Sequence, residues 1–281
     1  MPPVRRATRK VRMNVKKGLE KDGSDKSTPK SRSKPKSLPL VEHTNALSLE
    51  EFKSLYIPSS ELHFQRESRT TKAREIDKSP ADTPAPKFNT YTISIYSSST
   101  IPDGDLESCL DLISLTSSAA YKASSGGWSP TEKRKEMKLP EMKYMILRRG
   151  AESHTPDGDS EGNNGSEDDG EEDETGDFAG FLEFMVTYED GYEVLYCYEI
   201  HLTPEAQGQG LGEELTSRFE RIGQRIGLEK TMLTVFKSNS RAVAFYERVG
   251  FTEDENSPRP RRLRNGTVKE VDYMIMSKNL R

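Results

Sequence analysis

A glutamine and three glycines between a strand-like and a helix-like segment could bind a phosphate group. Gln207, Gly208, Gly210 and Gly212 stand in the run 202–212, which reads LTPEAQGQGLG. A glycine-rich turn that opens a helix leaves backbone N–H groups without partners, and with the helix dipole they attract a phosphate. No Gly-Lys-Ser/Thr follows, so this is not a Walker loop, and Glu213 replaces the third glycine of a dinucleotide-binding turn. A tight turn without a ligand is the structural alternative.

A second motif, at 239–251, reads NSRAVAFYERVGF and begins 32 residues after Gln207. One predicted helix and one predicted strand separate it from the glycine turn. Gln207-x-x-Gly210-x-Gly212 followed by Asn239 at this distance resembles the GCN5-related acetyltransferase superfamily. The resemblance implies an α/β fold, acetyl-CoA as the cofactor and direct acetyl transfer within a ternary complex.

The same resemblance implies which residues bind the cofactor. Backbone groups of Ile200, His201 and Leu202 would contact the pantetheine arm, together with the Asn239 side chain. The pyrophosphate would lie on the turn and the first helical residues, Gln207, Gly208, Gln209, Gly210, Leu211, Gly212 and Glu213.

The superfamily also places a tyrosine near the thioester sulfur, where Tyr246 stands. A hydroxyl that protonates the departing thiolate and a side chain packed in the core are both open roles for Tyr246. Phe245 and Phe251 are predicted to pack in the core.

Three further segments resemble a narrower family. They are 127–137 (GWSPTEKRKEM), 195–199 (LYCYE) and 232–239 (MLTVFKSN), supported by the short runs 257–258 and 271–273. Together they are similar to the NatD type of N-alpha-acetyltransferase, which acetylates the N-termini of histone four and histone two-A. This resemblance covers about residues 110–278 and is interrupted by an acidic segment.

The narrower resemblance implies a groove for a peptide. Its implied lining is Tyr121, Met145, Tyr198, Thr234 and Tyr273, with an acidic edge at Thr187, Tyr188 and Glu189. The family has an Asp where Thr187 stands, so either Glu189 or Asp190 replaces it or the register differs. Aromatic and acidic side chains suit a tail that begins small and polar and then becomes basic.

Glu199 is the best candidate for the general base, with Tyr198 beside it as a second catalytic candidate. Acetyl transfer requires the α-ammonium to lose a proton, and its pKa near 8 makes that loss easy. The two side chains alternate along one strand, so both reach the same site only if the strand is bulged or twisted there. A salt-bridged strand carboxylate is the structural alternative for Glu199.

Apolar periodicity and turn residues predict the elements that position these groups. Strands are predicted at 90–100, 143–148, 178–188, 192–202, 231–236 and 271–277, and helices at 103–121, 129–138, 211–226 and 241–249. Asp190-Gly191 predicts a hairpin, and Ser48 with Glu51 predicts a capped helix within 45–56. This order predicts a mixed, mostly antiparallel sheet flanked by helices.

Composition separates a folded part from two charged tracts. Only 32% of the residues are apolar and 31% are charged. Residues 1–40 carry 13 Lys and Arg against 3 acidic residues, whereas 151–177 carry 12 acidic residues and no Lys or Arg. We predict a basic disordered leader at 1–40, a short helix and polar linker at 41–88, and an acetyltransferase domain at 89–281 with a disordered acidic insertion at 151–177.

The sequence also argues against a membrane span, a disulfide framework and a metal site. The sequence has no apolar stretch of membrane-spanning length, and its two cysteines and four scattered histidines imply neither a disulfide framework nor a metal site. We expect a monomer in the nucleus and cytoplasm that binds histone tails. The basic leader is either a solvated tail or a contact for nucleic acid or ribosomes.

Three functions stay open on the sequence alone. The first is N-alpha-acetylation of histone tails, and the second is acetylation of lysine or a small amine by the same superfamily. The third is a histone-binding module without activity, against which the intact Gln207, Gly210, Gly212 and Asn239 argue.

Overall fold

The computed structural model describes residues 38–67, 88–150, 176–262 and 264–281. Nearly all of the predicted basic leader, most of the predicted linker and nearly all of the predicted acidic insertion lie outside these residues.

The described residues form helices and strands at the following positions. The helices are α1 (Leu40–Asn45), α2 (Leu49–Tyr56), α3 (Asp103–Ala123), α4 (Pro130–Met137), α5 (Leu211–Ile226) and α6 (Ser240–Arg248). The strands are β1 (His63–Glu67), β2 (Phe88–Ser97), β3 (Lys143–Arg149), β4 (Asp177–Glu189), β5 (Tyr192–Leu202), β6 (Lys230–Phe236), β7 (Thr252–Glu253), β8 (Arg261–Arg262), β9 (Val268–Lys269) and β10 (Tyr273–Asn279). Within this part of the chain, no helix is long and apolar enough to cross a membrane.

Eight of these strands form one sheet in the order β1-β2-β3-β4-β5-β6-β10-β7, and β8 pairs with β9 separately. Every neighbouring pair in the large sheet is antiparallel except β5 and β6, which are parallel. The predicted mixed, mostly antiparallel sheet is therefore confirmed.

Local signals account for where these elements begin and turn. Asp190 and Gly191 both have positive φ angles, 48° and 93°, as a two-residue hairpin between β4 and β5 requires. The Ser129 hydroxyl accepts the N–H of Glu132 at 3.3 Å and caps α4. The helix predicted at 211–226 is observed with the same bounds.

Apolar residues cover both faces of the sheet. Helices α1, α2 and α5 pack on one face, which we call the α5 side, where Phe52, Phe184 and Phe219 form part of the core. Helices α3 and α4 pack on the other face, the α3 side, where Phe181 and Tyr196 are buried. Alternation along each strand therefore decides which side a residue reaches.

The segment predicted as a short helix and linker contributes more to the sheet than expected. It forms two helices, with Ser48 and Glu51 making the predicted capping box of α2. The linker prediction is wrong for 63–67, because these residues form β1 and pair with β2 along His63–Glu67. One apolar residue in five gives little strand signal, so pairing with β2 decides the conformation.

We expect Phe52→Ala to lower the free energy of unfolding of the whole domain by about 3–5 kcal/mol, as for large core truncations. The Phe52 side chain is fully buried and its ring lies 5.2 Å from Tyr56 and 6.4 Å from Phe184. Urea unfolding measures the change, and Leu55→Ala on the same helix is the control because Leu55 is 58% exposed. Equal stability of the Phe52 variant and wild type would contradict this packing.

Candidate active site

A gap opens between the two parallel strands of the sheet. Strands β5 and β6 pair from Val194 with Lys230 to Cys197 with Leu233, and the pairing then stops although both strands continue. A cavity of about 770 Å³ lies beyond this point. Its lining includes Glu199, Ile200, His201, Leu202, Gln207, Gly208, Gly210, Leu211, Gly212, Glu213, Thr234, Asn239 and Tyr246. The structure thus brings together most of the predicted cofactor residues.

The glycine turn lies at the mouth of this cavity, before α5. Gly208 and Gly210 have φ angles of 76° and 81°, in the left-handed region that favours glycine, and Gly210 is the N-cap of α5. In the part of the chain that the structure describes, no backbone carbonyl accepts the N–H of either glycine. These N–H groups and the positive end of the helix dipole form an anion site that fits a pyrophosphate.

Two predicted cofactor side chains have structural partners. The Gln207 amide donates to the Leu202 carbonyl at 3.1 Å and accepts from Arg241 at 3.3 Å, so it holds the turn in shape. Asn239 caps α6 by accepting the Ala242 N–H at 3.1 Å, which leaves its NH₂ group as a donor at the cavity wall.

Gln209 differs from the other turn residues. Its side chain accepts from the Tyr91 hydroxyl at 2.9 Å and donates to the Glu205 carbonyl at 2.5 Å. These contacts place it toward β2, outside the cavity. The Gln209 side chain is therefore held toward β2, and the predicted contact of Gln209 with the pyrophosphate can come only from its backbone.

Arg66 is a cavity residue that the sequence did not reveal. It projects from β1 and pairs with Glu214. Its guanidinium lies so close to Gly210 that a Cβ added there would come within 3.4 Å of it. Glu214 also pairs with Arg218, which keeps the carboxylate neutralised on both sides. A guanidinium at this position can donate to a phosphate oxygen on the glycine turn.

Tyr198 and Glu199 reach the same side of the sheet because β5 is bulged between them. Glu183 of β4 faces Glu199, whereas the next residue, Phe184, faces Cys197, so Tyr198 is the extra residue. Tyr198 packs in the α3-side core, and Glu199 contacts residues of α3 and α4. The strand bulge that the sequence analysis required is present.

Glu199 is buried in a dense set of polar contacts. Its Oε1 accepts from the Tyr121 hydroxyl at 2.7 Å and from the Lys133 ammonium at 2.6 Å. Its Oε2 lies 2.7 Å from His201 Nε2. Lys133 also pairs with Glu136 at 2.5 Å. The carboxylate therefore belongs to an ion pair in which both partners are about 95% or more buried.

This environment keeps Glu199 ionised. Burial alone would raise the pKa of Glu199, but the charge of Lys133 and the hydrogen bond with His201 outweigh it and hold that pKa well below its usual range. The α-ammonium has an ordinary pKa near 8, far above that of Glu199, so transferring its proton to Glu199 is unfavourable. Glu199 is thus a fixed anion and a weak proton acceptor.

Glu183, which is not among the residues predicted for the site, is a second buried carboxyl group beside Glu199. It is fully buried, and burial raises its pKa to about 8 despite the opposing charge of Lys133. Its Oε1 lies 3.4 Å from the Tyr144 hydroxyl, and among the described residues its Oε2 has no hydrogen-bond partner. Burial therefore favours the protonated, neutral form of Glu183.

Tyr246 lies both at the cavity wall and in the core, so its position is compatible with either role that the sequence left open. It lines the cavity, and its ring packs against Phe245 at 5.2 Å and Phe251 at 5.9 Å. Burial raises the pKa of the Tyr246 hydroxyl well above its usual value, so the hydroxyl keeps its proton. Phe251 is buried in the core as predicted, whereas Phe245 is half-buried and also lines the cavity.

Four predicted groove residues lie together on the α3 side. Tyr121 and Tyr198 are buried in that core, Tyr273 packs against it, and Thr234 is hydrogen-bonded to the Tyr196 hydroxyl. The Tyr121 ring also lies 5.1 Å from Trp128 and 5.3 Å from Phe236. An aromatic cluster, in which Tyr121 and Tyr198 are buried, thus adjoins Glu199.

Two predicted groove residues lie on the opposite side. Met145 packs in the α5-side core, because its neighbour Tyr144 occupies the α3 side of β3. Tyr188 is 42% exposed and donates to Glu42 of α1 at 2.9 Å. Both groove predictions are wrong, since strand alternation directs these side chains away. Thr187 and Glu189 alternate onto the α3 side, toward the hairpin end of the sheet.

A sequence signal existed for two of the missed residues. Glu183 interrupts an apolar run from Phe181 to Val186, and a buried carboxyl in such a strand needs a special role. Lys133 stands four residues before Met137 on the buried face of α4, where a solvated lysine is out of place. Arg66 had no such signal, because its strand forms only through pairing.

Comparisons with known proteins agree with this geometry. Residues 147–251 match the model of the Acetyltransferase (GNAT) family. Mycothiol acetyltransferase of Salinispora arenicola (strain CNS-205) is 46% identical over 55 residues, 19% of this chain and 18% of that protein. The same enzyme of Pseudarthrobacter chlorophenolicus is 44% identical over 55 residues, 20% of this chain and 17% of that protein. The chain spans less than a fifth of these relatives.

Solved structures give weaker similarity. Spermidine N-acetyltransferase from Vibrio cholerae with CoA and spermine is 17% identical, covers 67% of this chain and 95% of that chain, and has a TM-score of 0.42. Ribosomal-protein-S18-alanine N-acetyltransferase from Escherichia coli is 18% identical, covers 67% and 94%, and has a TM-score of 0.39. The family match, with the strand order described above, confirms the predicted acetyltransferase fold.

We expect Arg66→Ala to weaken CoA binding by about 10- to 100-fold, because a charge-assisted hydrogen bond to phosphate contributes about 1.5–3 kcal/mol. Titration calorimetry with CoA measures the dissociation constant. Arg225→Ala is the matched control, since Arg225 makes an ion pair with Glu61 outside the cavity. Unchanged CoA affinity of the Arg66 variant would remove this residue from the phosphate site.

We expect Glu183→Gln to flatten the dependence of stability on pH. The pKa of Glu183 is about 8 in the folded protein and ordinary in the unfolded chain. The folded state therefore binds the extra proton between pH 4.5 and 8, and wild-type stability falls across this window by up to about 1.4 kcal/mol per pH unit. Denaturant unfolding at pH 5 and pH 8 measures the slope, and identical slopes for both proteins would contradict the burial of Glu183.

Proposed function

We propose that this chain, whose residues 147–251 match the model of the Acetyltransferase (GNAT) family, transfers an acetyl group from acetyl-CoA to the free N-terminal amine of a protein tail. One observation carries the proposal. The gap between β5 and β6 lies between the glycine-turn cavity and the aromatic cluster of the α3 side, and Glu199 contacts both.

The residues on the cofactor side fit acetyl-CoA, which supplies an acetyl group as a thioester. Backbone N–H groups of Gly208 and Gly210, with Arg66, would hold the pyrophosphate. The pantetheine arm would lie against β5 beyond Cys197, where the strand has lost its neighbour β6. The NH₂ group of Asn239 is positioned to donate to that arm.

Backbone groups in the gap serve the reacting carbonyl. Because β6 no longer pairs with β5 beyond Cys197, alternate N–H groups along this end of β5 point into the gap. A fixed N–H donor there stabilises negative charge that develops on an acyl oxygen. Tyr246, whose hydroxyl keeps its proton, can donate to a departing thiolate.

Charge and shape on the other side of the gap select the amine substrate. Glu199 is ionised and lines the cavity, so its negative charge attracts an ammonium group to the gap. Trp128 and Tyr273 are partly exposed on the aromatic cluster beside it and can pack the first residues of an extended chain. Lys133 already neutralises part of the Glu199 charge. The site therefore favours a substrate ammonium that can exchange over one that stays bound permanently.

The resemblance to NatD-type enzymes supports histone four and histone two-A tails as the acceptors. It rests on segments 127–137, 195–199 and 232–239, which here form α4 with its preceding turn, the bulged part of β5 and the end of β6. All three contact the Glu199 region, so the resemblance is concentrated at the proposed acceptor site. Residence in the nucleus and cytoplasm follows from such a substrate and stays part of the proposal.

The alternative is acetylation of lysine or a small amine by the same fold. The cofactor side is equally suited to that reaction, so the acceptor alone distinguishes the two. A non-catalytic histone-binding module is less consistent with the geometry, because the glycine turn, Asn239 and Tyr246 are assembled around one cavity.

The deciding experiment uses histone four tail peptides with a free and with a chemically blocked N-terminus, incubated with acetyl-CoA and the full chain. Mass spectrometry locates the added acetyl group. We expect product only with the free N-terminus, on the α-amine. Product from both peptides would indicate lysine acetylation, and product from neither, with CoA still bound, would indicate a binding module.

A further inference from the structure

His201 is fixed between a carboxylate and a hydroxyl at the cavity wall. Its Nε2 lies 2.7 Å from Glu199 Oε2, and its Nδ1 lies 2.7 Å from Thr116 Oγ1 on α3. The ring packs near Phe181, with 5.7 Å between centroids, and the side chain is 9% exposed. Both ring nitrogens therefore have a defined partner, although the superfamily resemblance implies only a backbone role for this residue.

The partners determine where the ring carries its proton. An ionised carboxylate can only accept hydrogen bonds, so the contact with Glu199 requires a proton on Nε2. In the neutral ring, Nδ1 then has a lone pair that faces the Thr116 hydroxyl. The order carboxylate, imidazole, hydroxyl is the arrangement by which enzymes orient a histidine that takes up a proton.

Thr116 allows the ring to gain that proton without losing a contact. Its hydroxyl also lies 2.6 Å from the Leu112 carbonyl, one turn earlier in α3. While Nδ1 is unprotonated, the hydroxyl donates to the ring. Once Nδ1 carries a proton, the hydroxyl rotates to donate to Leu112 and accepts from the ring instead. Both charge states of His201 are satisfied in one geometry.

The hydrogen-bonded series of Glu199, His201 and Thr116 also connects the buried site to solvent. Glu199 is 1% exposed, His201 is partly buried, and Thr116 is exposed, while all three line the cavity. Glu199 itself is a weak proton acceptor, because its ion pair with Lys133 holds it ionised. A proton released in the gap therefore needs an acceptor other than Glu199.

We propose that His201 is the proton acceptor for the amine, with Glu199 orienting its ring and Thr116 connecting it to the cavity mouth. The proposal rests on the proposed acetyl transfer. An N–H bond of the ammonium breaks, and its proton passes through the Thr116 hydroxyl to form Nδ1–H. The freed electron pair forms the N–C bond to the acetyl carbon, and the C–S bond breaks as the thiolate leaves. The thiolate takes a proton from the Tyr246 hydroxyl, and the second N–H proton of the amine restores that hydroxyl. The imidazolium then returns a proton to solvent at Thr116.

The charged and titratable groups around His201 favour this role. From β5 it faces the anion of Glu199, and from α3 the Tyr121 hydroxyl shares that carboxylate. From α4 the Lys133 ammonium lies behind Glu199, and from β4 the apolar Phe181 ring covers the imidazole face. Glu199 is thus the carboxylate that contacts the imidazole directly.

The test compares His201→Gln and His201→Ala with wild type, using the free-N-terminus histone four peptide. Glutamine keeps a donor for Glu199 but cannot take up a proton. We expect kcat of both variants to fall by about 10²- to 10⁴-fold at pH 7, the usual contribution of a positioned base. CoA affinity, measured by calorimetry, should stay at the wild-type level, which shows that the cavity is intact.

Two further readouts separate proton transfer from simple positioning. Above the pKa of the peptide amine the acceptor arrives unprotonated, so the defect should shrink as the pH rises toward 9. Added imidazole should restore part of the rate of His201→Ala, whose cavity can hold it, and should not affect wild type. His43→Gln is the control, because His43 is exposed on α1 outside the cavity.

Each outcome decides the proposal. A His201→Gln variant with wild-type kcat and pH profile would overturn it, as would a loss that neither high pH nor imidazole relieves. Absence of product from wild type with every amine tested would instead overturn the proposed function, which the same assay reveals independently.

Discussion

The buried ion pair between Lys133 and Glu199 is the interaction on which the rest of the site depends. Both side chains are about 95% or more buried, and removing one partner of such a pair leaves an uncompensated charge that costs about 3–5 kcal/mol. The pair fixes α4 against β5 and gives Tyr121 and His201 a common acceptor. It also keeps the carboxylate ionised, so the site presents a permanent anion at the point where acceptor and cofactor meet.

The geometry around that pair follows from two irregularities in one strand. The bulge at Tyr198 turns Glu199 onto the α3 side, where it contacts Lys133 of α4. The pairing of β5 with β6 ends at Cys197, and the cavity opens beyond that residue. A regular strand would have buried Glu199 on the α5 side among apolar residues and closed the gap, so departures from regular sheet structure make the site possible.

Most helices, most long strands and the glycine turn could be predicted from the sequence, because periodicity, caps and turn residues act locally. The bulge could be given only as a requirement for Tyr198 and Glu199 to reach the same site. In a regular strand these two side chains lie on opposite faces, and tertiary contacts decide whether the strand is bulged. Met145 and Tyr188 were misassigned to the groove because a resemblance does not fix strand register. Arg66 contacts Glu214 across 148 residues, and His201 contacts Thr116 across 85, and no local pattern records either contact.

The most direct test of this account is the ionisation of Glu199, followed by carbon-13 NMR of its side-chain carboxyl group in the folded protein from pH 5 to pH 9. The account predicts an ionised carboxylate whose chemical shift shows no titration of its own across this range, because Lys133 and His201 stabilise the charge. A titration of Glu199 itself within this range would contradict it. That result would make Glu199 a proton acceptor and not the fixed anion on which the site is built.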